Sequence, residues 1–123
     1  MLPYIIAEIG INHEGKIQRA IKLIKEAKKA GASAVKFQLF EPETLGTNSR
    51  IKKEKKNFNM WKKVALREND VLKLKKIAKK NNVDFFCSIF DKKSLDIITK
   101  LRIKNIKIAS SDLSDIILLK LVA

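Results

Sequence analysis

Polar side chains interrupt or end the apolar runs of this 123-residue chain at Glu8, Lys36, Gln38, Ser88, Lys107, Ser110 and Asp112. Lys36 sits in AVKFQ between apolar neighbours. Burying an ammonium alone is costly, so it must be paired, face a polar cavity, or reach the surface along its own stem. Lys107 in NIKIAS poses the same problem. Two such lysines near one rim make a positive, partly dry pocket suited to phosphate or carboxylate, because attraction strengthens where water is excluded. Gln38, two residues after Lys36, shares its face in an extended chain. Glu8 can neutralise a lysine, serve only as a structural ion-pair partner, or act as acid or base. Ser88, Ser110 and the amides opening a following helix add anion donors, although Ser110 and Asp112 can equally be helix caps. His13, in a turn after the first run, reads as a structural hydrogen bonder before a ligand.

These groups need strands to carry them. Residues 4–9, YIIAEI, are a short apolar run ended by Gly10 and read as a buried strand. Ile17, Ala20, Ile21, Ile24 and Ala27 then recur at helical spacing, with Gly31 closing the helix. Residues 33–39 form a second strand. The polar connection from Phe40 to about Arg67, with Trp61 inside it, is long enough to be functional or partly ordered as small helices. Asn69 or Asp70 caps a second helix bearing Val71, Leu74, Ile77 and Ala78, which ends at Asn81-Asn82. A third strand covers 83–88. Asp91 caps a helix with Leu95, Ile98 and Leu101, and 105–109 make a fourth strand. Asp112 or Ser114 starts a last helix carrying Ile116, Ile117, Leu119 and Leu121. Strands alternating with helices indicate an α/β chain with a parallel sheet, either an open doubly wound sheet or part of an eight-stranded barrel. Four βα units make half a barrel, with two open edges and an exposed inner face. In both architectures the functional groups gather at the C-terminal strand ends, where the polar residues stand.

Composition narrows the function classes. The chain is 46% hydrophobic, enough for a core and too much for a disordered chain. No apolar run approaches the roughly 20 residues that span a bilayer, and the apolar start contains Glu8 and lacks a basic leader. Cys87 is the single cysteine, so no internal disulfide forms, which fits a reducing cytoplasm; it reads as a buried thiol. The net charge of +14 suggests polyanion partners. However, the cations are nearly all lysines on polar helix faces, whereas bidentate phosphate and base recognition favours arginine, found only at 19, 50, 67 and 102. Nucleic acid is therefore disfavoured. There is no Gly-rich phosphate loop, no zinc-spaced Cys/His set and no serine elbow.

AEIGINHEG (7–15), AVKFQ (34–38), DFFCSIFD (84–91) and IKIASSD (106–112) together resemble the N-terminal motifs of the N-acetylneuraminate (sialic acid) synthase family, in order and spacing, over nearly the whole chain. The resemblance implies a (β/α)₈ barrel of TIM type, of which residues 1–123 are about the first four βα units, with later strands and a C-terminal antifreeze-like domain beyond them. It implies a homodimer when full length. It implies condensation of phosphoenolpyruvate with an open-chain N-acetylated hexosamine, N-acetylmannosamine or a related sugar, releasing phosphate. Lys36, Lys107 and Ser110 match positions holding phosphoenolpyruvate. Glu8 matches a carboxylate near the reacting carbons, and Gln38, Ser88 and Asp112 match positions at or near the amino sugar. A divalent metal, Mn²⁺ or Mg²⁺, is implied, with ligands on later strands. Two departures stand out: Cys87-Ser88-Ile89-Phe90 replaces the family's Ser-Thr-Pro-Phe, which puts the Ser88 contact in question, and the chain is about a third of the expected length. Alternatives are another phosphoenolpyruvate-dependent synthase, of the octulosonate or heptulosonate class, or a non-catalytic basic module that binds polyanions.

Overall fold

The computed structural model describes residues 2–45 and 55–123. Four strands run parallel in the order β1 (Ile6–Gly10), β2 (Ala34–Leu39), β3 (Asp84–Ile89) and β4 (Asn105–Ile108). Sequential strands are neighbours, and helices provide the crossovers that parallel pairing requires. These are α1 (Ile17–Lys29) after β1, α2 (Lys55–Val64) and α3 (Glu68–Lys80) after β2, and α4 (Lys92–Lys100) after β3. A single 3₁₀ turn (Ser110–Asp112) and α5 (Ile116–Val122) follow β4. The chain is α/β, the arc of parallel βα units expected of a TIM-type barrel.

The two faces of the sheet differ sharply, and strand alternation explains why. Val35, Phe37, Leu39, Cys87 and Ile89 point to the helices and are almost completely buried. There they meet Ala20 and Ile24 of α1, Val71, Leu74 and Ala78 of α3, and Ile98 of α4 in one core. Phe37 and Phe85 stack with centroids 5.5 Å apart. Helix ends follow local chemistry. Asp91 caps α4 as expected, accepting from Ser94 N at 2.7 Å. Gly31 takes φ +87 just after α1, where an L side chain would be strained.

Two expectations need correction. Neither Asn69 nor Asp70 caps α3. Arg67 is the extended N-cap residue, and Asp70, at the third helical position, accepts from Arg67 N at 3.0 Å. Asp112 and Ser114 do not start the last helix. Asp112 ends the 3₁₀ turn, and Asp115 caps α5 by accepting from Leu118 N at 2.9 Å. The long connection after β2 is partly ordered as a helix, α2, as expected; residues 46–54 of that connection, Arg50 among them, lie outside the described residues.

Among the described residues, β1 and β4 each have one unpaired edge. Apolar side chains gather at both flanks. Ile5 and Ile6 are exposed at the start of β1, and Leu113, Ile116 and Ile117 are each about two-thirds exposed or more beside β4.

Candidate functional site

Register places the polar residues in rows on the face away from the core. Glu8 aligns with Lys36, Lys36 with Phe86, and Phe86 with Asn105. One level on, Gln38 aligns with Ser88, and Ser88 with Lys107. Aligned residues of parallel strands share a face, so the set lines one surface near the C-terminal strand ends.

Lys36 organises this surface. It is 8% exposed, and its Nζ lies 2.8 Å from Glu8 Oε2 and donates to Ser88 Oγ at 2.6 Å. Of the three fates open to a strand lysine, it takes pairing, not the surface. An ammonium has three donors, so one N–H remains beyond these two. Glu8 is different in kind: its side chain is 56% exposed, on an edge strand. Gly10 ends β1 at a register irregularity with φ +56. A Cβ there would lie 3.3 Å from Glu8 Oε1 and 3.8 Å from Gln38 Nε2. The missing Cβ thus leaves room beside the carboxylate, and Gln38 borders the same space.

The other expected groups are more loosely placed. Lys107 is exposed, and its ammonium rests on the carbonyl of Ile108. It occupies the Ser88 row on an edge strand, and it is left exposed among the described residues. Ser110 is exposed. Asp112 is half-buried; Oδ1 accepts from Ser111 Oγ at 3.1 Å, and buried Oδ2 has no hydrogen-bond partner among the described residues. Of the amides at this end, Asp112 N donates to Ala109 O, Asp115 N to Asp112 O and Ile116 N to Ser114 O, each at 3.0 Å, and Leu118 N is taken by the Asp115 cap. Glu8, Lys36, Gln38 and Ser88 therefore form one contiguous group, whereas Lys107, Ser110 and Asp112 stand along the adjoining rim.

Cys87 and His13 lie on the other face. Burial pushes the Cys87 thiol up to about 12, against a weaker opposing pull from Lys36, so it stays protonated and inert. His13 is fully buried, with its ring 6.0 Å from Phe37. Its Nδ1 accepts from Gly15 N at 3.1 Å, which leaves the proton of the neutral ring on Nε2. Burial holds its pKa below 6.5, partly opposed by Asp70. No group of three or more His, Cys, Asp or Glu that could hold a metal exists among the described residues, so a divalent metal does not fit on them alone.

One contact escaped sequence reasoning. Besides capping α4, Asp91 accepts from Glu41 N at 2.7 Å and from Thr44 Oγ1 at 3.2 Å. It ties the segment after β2 to the end of β3, and Phe40 packs edge-on against Phe90 at 6.2 Å. The cap was legible; the contact across some fifty residues of sequence was not. A cavity of about 770 Å³ lies on the helix side, between this segment, α2 and α4. Its three lysines are paired, Lys62 with Glu43 at 3.4 Å, Lys100 with Glu68 at 2.7 Å, and Lys93 with Glu41, and Arg67 also lines it.

Sequential parallel βα units with polar groups gathered on one face are the architecture of part of a TIM-type barrel. The chain belongs to the NeuB family, whose model matches residues 23–123. It is 36% identical over 126 residues to N,N'-diacetyllegionaminic acid synthase of Legionella pneumophila, covering 94% of this chain and 35% of that protein. It is 38% identical over 125 residues to N-acetylneuraminate-9-phosphate synthase of Drosophila melanogaster, covering 95% and 34%. The crystal structure of N-acetylneuraminic acid (sialic acid) synthetase from Leptospira borgpetersenii, in complex with citrate, superposes with a TM-score of 0.87 at 34% identity, covering 97% of this chain and 40% of that one. The chain spans about a third of the length of these curated relatives. No described helix is long and apolar enough to cross a membrane.

Proposed function

We propose that this chain supplies the phosphoenolpyruvate-facing part of a nonulosonic acid synthase, which joins phosphoenolpyruvate to an N-acetylated hexosamine such as N-acetylmannosamine. The observation that carries this reading is the buried Lys36 ammonium, held by Glu8 and Ser88 on the polar face of the sheet. A fixed ammonium in a partly dry site stabilises phosphate or carboxylate without reorganising as charge moves. Lys107 and Ser110 on the adjoining rim extend the anion site, and Gln38, Ser88 and Asp112 face the sugar. Similarity to named synthases across almost the whole chain supports this assignment.

In the reaction, C3 of phosphoenolpyruvate attacks the sugar aldehyde, water adds at C2, and phosphate leaves through C–O cleavage. Lys36 and Lys107 stabilise the anionic groups. Glu8 stabilises positive charge developing at C2 or handles a proton there. The divalent metal of this reading takes its ligands from segments outside this chain. The complete catalyst is a longer or assembled polypeptide in which further βα units cover the open edges of β1 and β4. It is homodimeric and cytoplasmic in this reading.

The test is phosphate release by a polypeptide that joins this chain to the remaining barrel strands and the C-terminal domain. Release with phosphoenolpyruvate and N-acetylmannosamine, but not with arabinose or erythrose phosphates, and its loss in Lys36→Ala, is the expected result. Preference for a sugar phosphate would move the assignment to the octulosonate or heptulosonate class.

A further inference from the structure

Glu8 occupies the place that a ligand anion needs. Its Oε2 sits 2.8 Å from Lys36 Nζ, and Ser88 Oγ takes a second N–H of the same ammonium. An anion could use only the third N–H, and would then share one cation with a carboxylate of like charge. That arrangement is repulsive, and more so because Lys36 is shielded from water. Glu8 can leave: its side chain is 56% exposed, and the missing Cβ at Gly10 keeps space open beside Oε1.

Resting on the reading of this face as the phosphoenolpyruvate site, we propose that Glu8 is a tethered competitor, a built-in anion that holds Lys36 in the empty site and must be displaced when phosphoenolpyruvate arrives. A tethered group competes at an effective concentration of order millimolar, so it raises the ligand concentration needed for occupancy. It also keeps the buried ammonium from standing uncompensated when no ligand is bound. The site thereby discriminates against weak monoanions, which gain too little to displace Glu8, and favours a ligand carrying both phosphate and carboxylate.

The experiment is an NMR titration of the 123-residue chain with phosphoenolpyruvate at constant ionic strength, followed at the amides of Lys36 and Ser88. The proteins are the parent, Glu8→Gln, Lys36→Met, and the Glu8→Gln, Lys36→Met double variant. Glutamine keeps an acceptor for the ammonium and removes the charge, so the fold is retained; Glu8→Ala provides a second uncharged variant. The expected result is tighter binding by Glu8→Gln, by about two- to fivefold, the factor that corresponds to losing one partly exposed ion pair. The gain should vanish in the double variant. Equal or weaker binding by both Glu8 variants overturns the competitor role. If the parent still binds and Lys36→Met does not, the reading of the site stands despite that failure. If no folded variant binds, both the competitor role and the site reading fail.

Discussion

The Lys36–Glu8 pair is asymmetric, and its two halves should fail differently. Lys36 is 8% exposed, whereas the Glu8 side chain is 56% exposed. Replacing Lys36 by Met puts an apolar chain of similar length in the strand and leaves a carboxylate that water can reach. Removing one partner of an ion pair costs most when the charge left behind is buried; here it is the exposed Glu8, so the expected change is within about 1 kcal/mol of zero. Replacing Glu8 by Ala instead leaves the shielded ammonium with only Ser88 as partner. A buried polar group losing a partner costs about 1–3 kcal/mol, with the lower end favoured here because the lost carboxylate was itself solvated. The predicted order of stability by urea unfolding is Lys36→Met at or above the parent and Glu8→Ala at least about 1 kcal/mol below it. Ser88→Ala should fall between them. Equal losses at Lys36 and Glu8, or a greater loss at Lys36, would refute the view that the lysine is the desolvated member.

Other parts of the chain make equally direct predictions. Asp91→Ala should cost about 1–2 kcal/mol through the lost α4 cap and should speed hydrogen exchange at the Glu41 amide, which Asp91 holds at 2.7 Å. Unchanged exchange at Glu41 would show that Asp91 does not hold the segment after β2. Gly15→Ala should destabilise by more than about 2 kcal/mol, because its Cβ would meet the Lys63 carbonyl oxygen at 2.0 Å and φ is +75; urea unfolding would detect a tolerated alanine at once. His13 is held below its usual 6.5 by burial, so the unfolded chain takes up its proton first as pH falls. Stability should therefore be complete above about 6.5 and decline below it until the folded ring itself protonates. His13→Phe should flatten that decline between pH 7 and pH 5.5, whatever it does to overall stability, and an unaltered slope would assign the pH dependence elsewhere.

The strands were legible because their apolar runs are short, rich in β-branched and aromatic residues, and broken by Gly or Asn. The rows of the site were legible too, once alternation put Lys36 and Gln38 on one face and succession of strands put Glu8 beside them. What the sequence hid was nonlocal or ambiguous. In α2 the apolar residues Phe58, Trp61 and Val64 recur every third position among lysines and asparagines, a thin stripe that signals a small helix without fixing its bounds. Around α3 and α5 several acidic and polar residues stand within a turn of each helix start, and only backbone geometry selects Arg67 and Asp115 as the cap residues. The unequal settings of Lys36 and Lys107 were also invisible. Their sequence contexts match, but β2 is flanked on both sides whereas β4 is an edge, so one ammonium is paired and buried and the other rests exposed on a carbonyl.

The central claim is that the polar face built by β1 to β4 is an anion site for phosphoenolpyruvate. Titration calorimetry of phosphoenolpyruvate into this chain and into its Lys36→Ala, Lys107→Ala variant, at moderate salt with Mn²⁺ present, tests it most directly. The account predicts binding by the parent chain that disappears in the variant while both remain folded. Binding of equal strength by the two proteins, or none by a folded parent, would contradict it.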